Sequence, residues 1–293
     1  MAKEGNSKMP DLLYPMRSIW QEESNQGQRI RRLLAFVRWQ FWKRIVGKPI
    51  KTKLLNGLQL EVWPDCHVSP SALYYALPNS KHVSFLREHL NGGTFLDVGA
   101  NIGLVSLLVA DKVQHAILFE PSPIAAERAR KNLQINGLAF DIVAEALSDT
   151  VGSVEFENGG GANSCNRTVD GFTTSVPTIP VQRTTFDRFL QTYRTDIPAI
   201  RWVKIDVEGH ENAVLRGMQG FLKNQRPQLV MFEYLARTDI RETLRIFDEV
   251  EYFVFELSPS GPRLAAADVT PLQDLFACPK ELAAQFGVSE GPP

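Results

Sequence analysis

Cysteine is scarce in this chain. Cys66, Cys165 and Cys278 are the three in 293 residues, far apart and without a C-x-x-C pair. That excludes a disulfide framework or a zinc ribbon as the organising device and points to a reducing compartment. No run of about 18 apolar residues occurs, so no membrane-spanning helix is expected. The first twenty residues hold no apolar core followed by small residues, so no secretory leader is expected. Net charge is nearly absent too, at −1, but this neutrality conceals a division. Residues 1–56 hold 12 Lys and Arg against 4 Asp and Glu, and the remainder 20 against 29. The acidic body lacks the positive surface that phosphate contacts need, which argues against nucleic acid as the main substrate. What is present is an apolar fraction of 44%, enough to bury a sizeable core.

The basic segment reads as an arm over residues 1–50, followed by one domain over 51–288 and a short tail at 289–293. Its first 27 residues show no clear period and are expected to be loosely ordered. Residues 28–46, QRIRRLLAFVRWQFWKRIV, carry six basic residues and no acid. Ile30, Leu33, Leu34, Val37, Phe41 and Ile45 share one helical face. Ala35, Trp39, Trp42 and Val46 lie near the opposite side. Two readings follow: a helix packed on the body or on a second copy, or an interfacial helix on an anionic membrane. Apolar residues on both sides favour packing.

Residues 51–63 place Asn56-Gly57 between two short alternating runs, a hairpin signal. A helical stretch over 70–91 breaks at Pro78. Strands are expected at Thr94–Val98, His115–Phe119, Phe140–Ala144, Arg201–Ile205 and Gln228–Phe232, separated by helices. Tyr252–Glu256 and Asp274–Cys278 are candidates to close the sheet. Apolar strands alternating with helices predict a mainly parallel sheet covered on both faces. Residues 157–164, ENGGGANS, interrupt the alternation and read as a flexible loop over the ligand.

Two strand ends carry chemistry. The first is TFLDVGANIGL, a strand entering a glycine turn and then a helix. Gly99 permits a sharp turn, Gly103 a close helix approach, and the helix start offers free N–H groups. The spacing is G-x-x-x-G, with Asn101 between, rather than the dinucleotide G-x-G-x-x-G. Glu120 ends the next strand, where an acid accepts hydrogen bonds from the ribose hydroxyls of an adenosine. Asp97 before the turn suits a ligand with an ammonium group, as S-adenosylmethionine has. After the third strand, Glu145 or the backbone at Ala146 is placed to read adenine. The second strand end is VKIDVEGHE. It holds candidate bases in Asp206, Glu208 and His210, and a cation in Lys204. No metal is expected there, because an extended segment fixes no converging geometry for the three candidate ligands. Glu233, ending the strand QLVMFE, is a further acid at the same edge, and Tyr234 beside it is a candidate for the same pocket wall.

The blocks FLDVGANIG, LFEPSP, NLQINGL, ALSD, TTFDRFL, VKIDVEGHENAVLRGM, RPQLVMFE and DLFACPK occur in that order. Together they resemble the FkbM family of S-adenosylmethionine-dependent methyltransferases over roughly residues 51–280. The resemblance implies a doubly wound, seven-stranded class I methyltransferase (Rossmann-like) α/β sheet whose last strand is antiparallel, carrying here an N-terminal helical arm and hairpin. It implies O-methylation of a hydroxyl on a sugar, glycan or other natural product. Asp97, Gly99, Asn101 and Gly103 would form the donor loop, Glu120 would bind ribose, and Glu145 and Ala146 would lie near adenine. Asp206, Glu208 and His210 would lie at the reaction centre. A nicotinamide-dependent oxidoreductase is the competing enzyme reading, opposed by the glycine spacing and by Asp97. A catalytically inactive, membrane-associated scaffold on the same fold is opposed by the intact acids. The expected location is cytoplasmic, with peripheral contact at the inner membrane face if residues 28–46 are interfacial, or a homodimer if they pair.

Overall fold

The structure, a computed structural model, describes residues 13–78, 80–160, 166–170, 173–193 and 196–289. The arm comprises α1 (Leu13–Gln21), a 3-10 turn at Glu23–Asn25 and α2 (Arg29–Ile45). The expectation of loose order before residue 28 is corrected from Leu13 onward. Ile19 and Asn25 are fully buried. The Asn25 side chain donates to the carbonyls of Ile19 and Tyr74 and accepts from Ala76 N–H. One buried amide that satisfies three backbone groups fixes a segment too short and polar to show a period. Residues 1–12 of that expectation lie outside the described residues.

The hairpin forms as expected from β1 (Ile50–Lys53) and β2 (Gln59–Val62), with α3 (Ser71–Tyr74) and α4 (Ser80–His89) on either side of Pro78. Then β3 (Thr94–Val98), α5 (Leu104–Val109), β4 (His115–Phe119), α6 (Pro123–Gln134) and β5 (Phe140–Val143) alternate. Next come four strands that the sequence pattern did not announce: β6 (Ala146–Leu147), β7 (Gly152–Glu157), β8 (Thr168–Val169) and β9 (Thr178–Thr184). They pair in the order β6-β9-β7-β8 as a separate sheet. The loop expected at 157–164 is therefore partly strand and bridges β7 and β8; its residues 161–164 lie outside the described residues. The chain continues through α7 (Phe186–Thr192), β10 (Ile200–Ile205), α8 (Glu211–Arg216), α9 (Gln219–Asn224), β11 (Leu229–Tyr234), α10 (Ile240–Glu249), β12 (Tyr252–Ser258), β13 (Gly261–Leu264) and β14 (Gln273–Pro279).

The main sheet runs β13-β12-β14-β11-β10-β3-β4-β5. β5, β4, β3, β10 and β11 are mutually parallel, while β14 is antiparallel to both neighbours. These are the seven strands of the expected methyltransferase sheet, with β13 added as an eighth on the edge. Leu96, Val98, Ile117, Phe119, Val203, Ile205, Val230 and Phe232 face one way and pack in one core with residues of α7–α10. The alternate positions, among them Phe95, Leu118, Trp202 and Met231, face α4–α6, the hairpin and the arm. Strands buried on both faces explain the continuous apolar runs. The chain steps outward from β3 to β5, then returns to start again at β10. The switch point therefore lies between β3 and β10, where open α/β sheets bind ligands beyond the strand ends.

The helix expected within residues 28–46 forms as α2 and packs on the body through the side that carries Trp39. Phe36 and Trp39 are buried, Trp39 in one cluster with Leu60, Val62 and Trp63. Arg32 Nη1 donates to the carbonyls of Ala72 and Leu73. Of the other face, Leu33 is half-buried and Ile30, Leu34, Val37, Phe41 and Ile45 point outward. Two large aromatics bury more apolar area per residue than aliphatics, and here they set the docking face.

Candidate active site

The ends of β3 and β10 meet at the switch point. Asp206 N–H donates to the Val98 carbonyl at 3.0 Å, joining the two turns. Gly99 takes φ 72°, and a Cβ there would fall 1.8 Å from the Asp206 carbonyl oxygen. Glycine at 99 is thus required by a neighbouring backbone as well as by its conformation. Beneath this contact lies Lys204, which is buried. Its Nζ donates to the Gly99 carbonyl at 2.8 Å and lies 3.3 Å from both Asp97 and Asp206. Burial works against the ammonium, but the two carboxylates outweigh it and raise its pKa.

A cleft opens above these turns. Gly99, Asn101, Glu120, Glu145, Ala146, Asp206, Glu208 and His210 all line it. Two expected donor-site residues do not. Asp97 is wholly enclosed on the α5 side, with Ser106 Oγ donating to its Oδ2 at 2.6 Å and Oδ1 facing Lys204. It holds Lys204 rather than reaching the cleft, because its β3 position alternates away from it. Gly103 is the left-handed N-cap of α5 at φ 76°, and a Cβ there would meet its neighbours at an ordinary 3.5 Å. Its conformation, not a close approach, requires glycine.

Glu120 closes one end of the cleft. Its Oε2 accepts from Asn101 N–H and its Oε1 from Ser122 N–H, both at 2.8 Å. Burial pushes its pKa up to about 7, against those two hydrogen bonds. Asn101 adopts φ 49°, a left-handed conformation that asparagine tolerates better than most residues.

Acids gather at the other end. Carboxylate oxygens of Asp206, Glu208 and Glu233 lie within 4.8 Å of one another, the one such group of three among the described residues. The expected third partner, His210, is not in it. Its Nε2 lies 3.0 Å from Ser148 Oγ, which ties it to the 145–148 segment, and burial lowers its pKa. Glu233, at the end of β11, takes its place. Burial and the charges of Asp206, Glu208, Glu211 and Asp274 push Glu233 up to about 8. A proton retained on Glu233 lets three acids share the space without a cation.

The turn that presents these acids is held from behind. Glu208 sits at φ 57°, a strained conformation typical of functional sites. Arg237 clamps it, with Nη2 2.6 Å from its carbonyl and 3.0 Å from its Oε2. Burial and Asp206 raise the Glu208 pKa, and Arg237 opposes them. Glu211 is fully buried and accepts from the N–H groups of Val207 and Gly209 and from Thr238 Oγ1. Arg237 was not singled out in the sequence. Arg237 stands alone in a loop and carries no local signal, whereas Glu211 lies within the acid-dense block itself. The small sheet supplies the remaining wall through Phe156, Asn166 and Thr168. Asn166 Oδ1 accepts from Gly159 N–H. Its Nδ2 and the Thr168 hydroxyl are buried and without a partner among the described residues.

Comparisons with known proteins accord with this layout. The family described as the methyltransferase FkbM domain matches residues 97–257. Hexuronic acid methyltransferase AglP of Haloferax volcanii is 28% identical over 167 residues, covering 57% of this chain and 66% of that protein. The chain thus spans just under two thirds of that relative's length. Among solved structures, a methyltransferase FkbM from Methylobacillus flagellatus aligns over 91% of this chain and 58% of that one, with a TM-score of 0.41 and 10% identity. The tRNA (uracil-54, C5)-methyltransferase of Pyrococcus abyssi, solved with S-adenosyl-L-homocysteine, aligns over 78% of this chain and 43% of that one, with a TM-score of 0.41 and 14% identity. The match across more than half of the chain, on the strands and turns that build the cleft, places this protein in the FkbM-domain family of methyltransferases.

Proposed function

We propose that the chain transfers a methyl group from S-adenosylmethionine to a hydroxyl of a sugar, glycan or other hydroxyl-bearing natural product. The observation that carries this reading is one cleft lined by Glu120 and by Asp206 and Glu208, the latter two clustered with Glu233. The residues fit the donor. Each Glu120 oxygen uses one lone pair on a backbone N–H, so another remains for a ribose hydroxyl. The helix start after Gly103 adds a positive dipole end. When bound, S-adenosylmethionine supplies a methyl group already activated on a sulfonium. The protein is then left with aligning the acceptor and removing its proton. Asp206 is the proton acceptor in this reading, with Glu208 beside it in the cleft and Glu233 within 4.8 Å of both. His210 supports the 145–148 wall, with which Glu145 and Ala146 border the adenine end. A polar acceptor accords with the unpartnered Asn166 amide and Thr168 hydroxyl. The curated relative's hexuronic acid substrate lends a sugar acceptor some further support.

Glu120→Ala removes two charge-assisted hydrogen bonds to ribose. Affinity for S-adenosylhomocysteine is expected to fall roughly tenfold or more, at about 1.5–3 kcal/mol for each bond. Calorimetry on a variant whose melting curve shows it folded makes the measurement. An unchanged dissociation constant removes Glu120 from the donor site.

Glu233 gives the site a pH dependence. Its pKa of about 8 leaves it mostly protonated at neutral pH and ionised above. A proton taken by Asp206 can pass to Glu233 only in the ionised form. Turnover therefore rises as pH increases through about 8, and Glu233→Gln abolishes that rise. A wild-type profile flat across this interval rules out Glu233 as the relay.

A further inference from the structure

The outward face of α2 is apolar, basic and unpartnered among the described residues. Ile30, Leu34, Val37, Phe41 and Ile45 are 53–69% exposed. At 100° per residue they occupy an arc of roughly 80°, opposite the face docked through Phe36 and Trp39. Arginines border the stripe on both sides. Arg44 lies along one edge and Arg31 and Arg38 along the other, all exposed. Trp42 follows the second edge. No acidic residue occurs from residue 24 to residue 60.

We propose that this face of α2 is a docking surface for an anionic lipid bilayer, lying in the plane of the headgroups. The occupant follows from the charge pattern. An apolar ridge between two cationic edges matches acyl chains between anionic headgroups. A second copy matches it poorly, since an isologous contact would set Arg31, Arg38 and Arg44 of one helix against those of the other. Among the described residues no helix is long and apolar enough to cross a membrane, so contact through α2 is peripheral. The docked aromatics hold the helix against the body, so the ridge is presented on a rigid support.

The test uses the full chain with vesicles of phosphatidylcholine alone and of phosphatidylcholine mixed with phosphatidylglycerol. Co-sedimentation is expected with the mixed vesicles, not with the neutral ones, and is expected to weaken as salt is raised. Arg31→Gln/Arg38→Gln/Arg44→Gln lowers partitioning roughly a hundredfold at about a factor of five per charge. Leu34→Asp/Phe41→Asp lowers it by roughly tenfold or more. Both sets are exposed and leave melting unchanged. Should the aspartates disturb folding, the glutamine set alone decides. No binding to mixed vesicles, or glutamine variants that bind like wild type, overturns the proposal. So does light scattering that shows a dimer which Leu34→Asp/Phe41→Asp dissociates.

Discussion

Asp206→Asn is expected to reduce turnover about a hundredfold or more, within the range of a lost general base, while leaving affinity for S-adenosylhomocysteine nearly unchanged. The amide keeps the volume of the carboxylate and its place 3.3 Å from Lys204, but cannot take a proton. The donor end of the cleft, at Glu120, is formed by other strand ends and keeps its contacts. Single-turnover methyl transfer read beside calorimetry separates the two effects. Wild-type turnover in this variant shifts the proton acceptor to Glu208 or His210, which also line the cleft. A chelator adds a second readout, because Asp206, Glu208 and Glu233 lie close enough to share an ion. Activity lost to the chelator and restored by Mg²⁺ assigns the three acids to a cation and removes the relay through Glu233.

Lys204→Met is expected to destabilise the fold by about 3–5 kcal/mol, the usual consequence of stripping the partner from a buried charge. Methionine matches the stem but not the ammonium. Asp97, wholly enclosed, then keeps Ser106 alone as a side-chain partner, and the Gly99 carbonyl loses its donor. A melting-temperature fall on the order of 10 °C follows for a domain of this size. Replacing both sides of the buried pair, Lys204→Met with Asp97→Asn, should recover much of the loss, because the carboxylate then left without its cation, Asp206, is 42% exposed to solvent. Equal destabilisation in the single and double variants would show that packing, not charge, is what Lys204 supplies.

The parallel strands and the two chemical strand ends were legible because local sequence determines them. An apolar run of five residues followed by a glycine turn describes β3 wherever it sits, and position relative to a parallel sheet then follows from alternation. The β6–β9 sheet was not legible. β6 and β8 are two residues each, β7 and β9 are largely wet on one side, and a glycine-rich segment lies between them, so Val154, Phe156 and Val181 are the main buried anchors in a stretch that reads as loop. The docking face of α2 was open for a different reason. Its pattern offers two apolar sides, and the choice depends on a surface supplied by residues 54–77, far along the chain. The exchange of His210 for Glu233 in the acid cluster is a matter of tertiary convergence. His210 is in the same sequence block as Asp206 but begins a helix, whereas Glu233 ends a neighbouring strand.

The placement of β14 bears on how the chain can assemble. It fills the gap between β11 and β12, although it follows both in sequence. Until residues 273–279 have been synthesised, β11 and β12 have no ladder between them, and the apolar edges of two central strands stand open. The sheet cannot zip in the order of synthesis. Its closing contacts span 47 residues between Val230 and Ala277, a non-local pairing that slows folding. During that interval the exposed edge is the segment most open to pairing with another chain. A nascent chain stalled before β14 thus carries a complete glycine turn, all three acids and an unclosed sheet, with a strand edge open to pairing before the domain is whole.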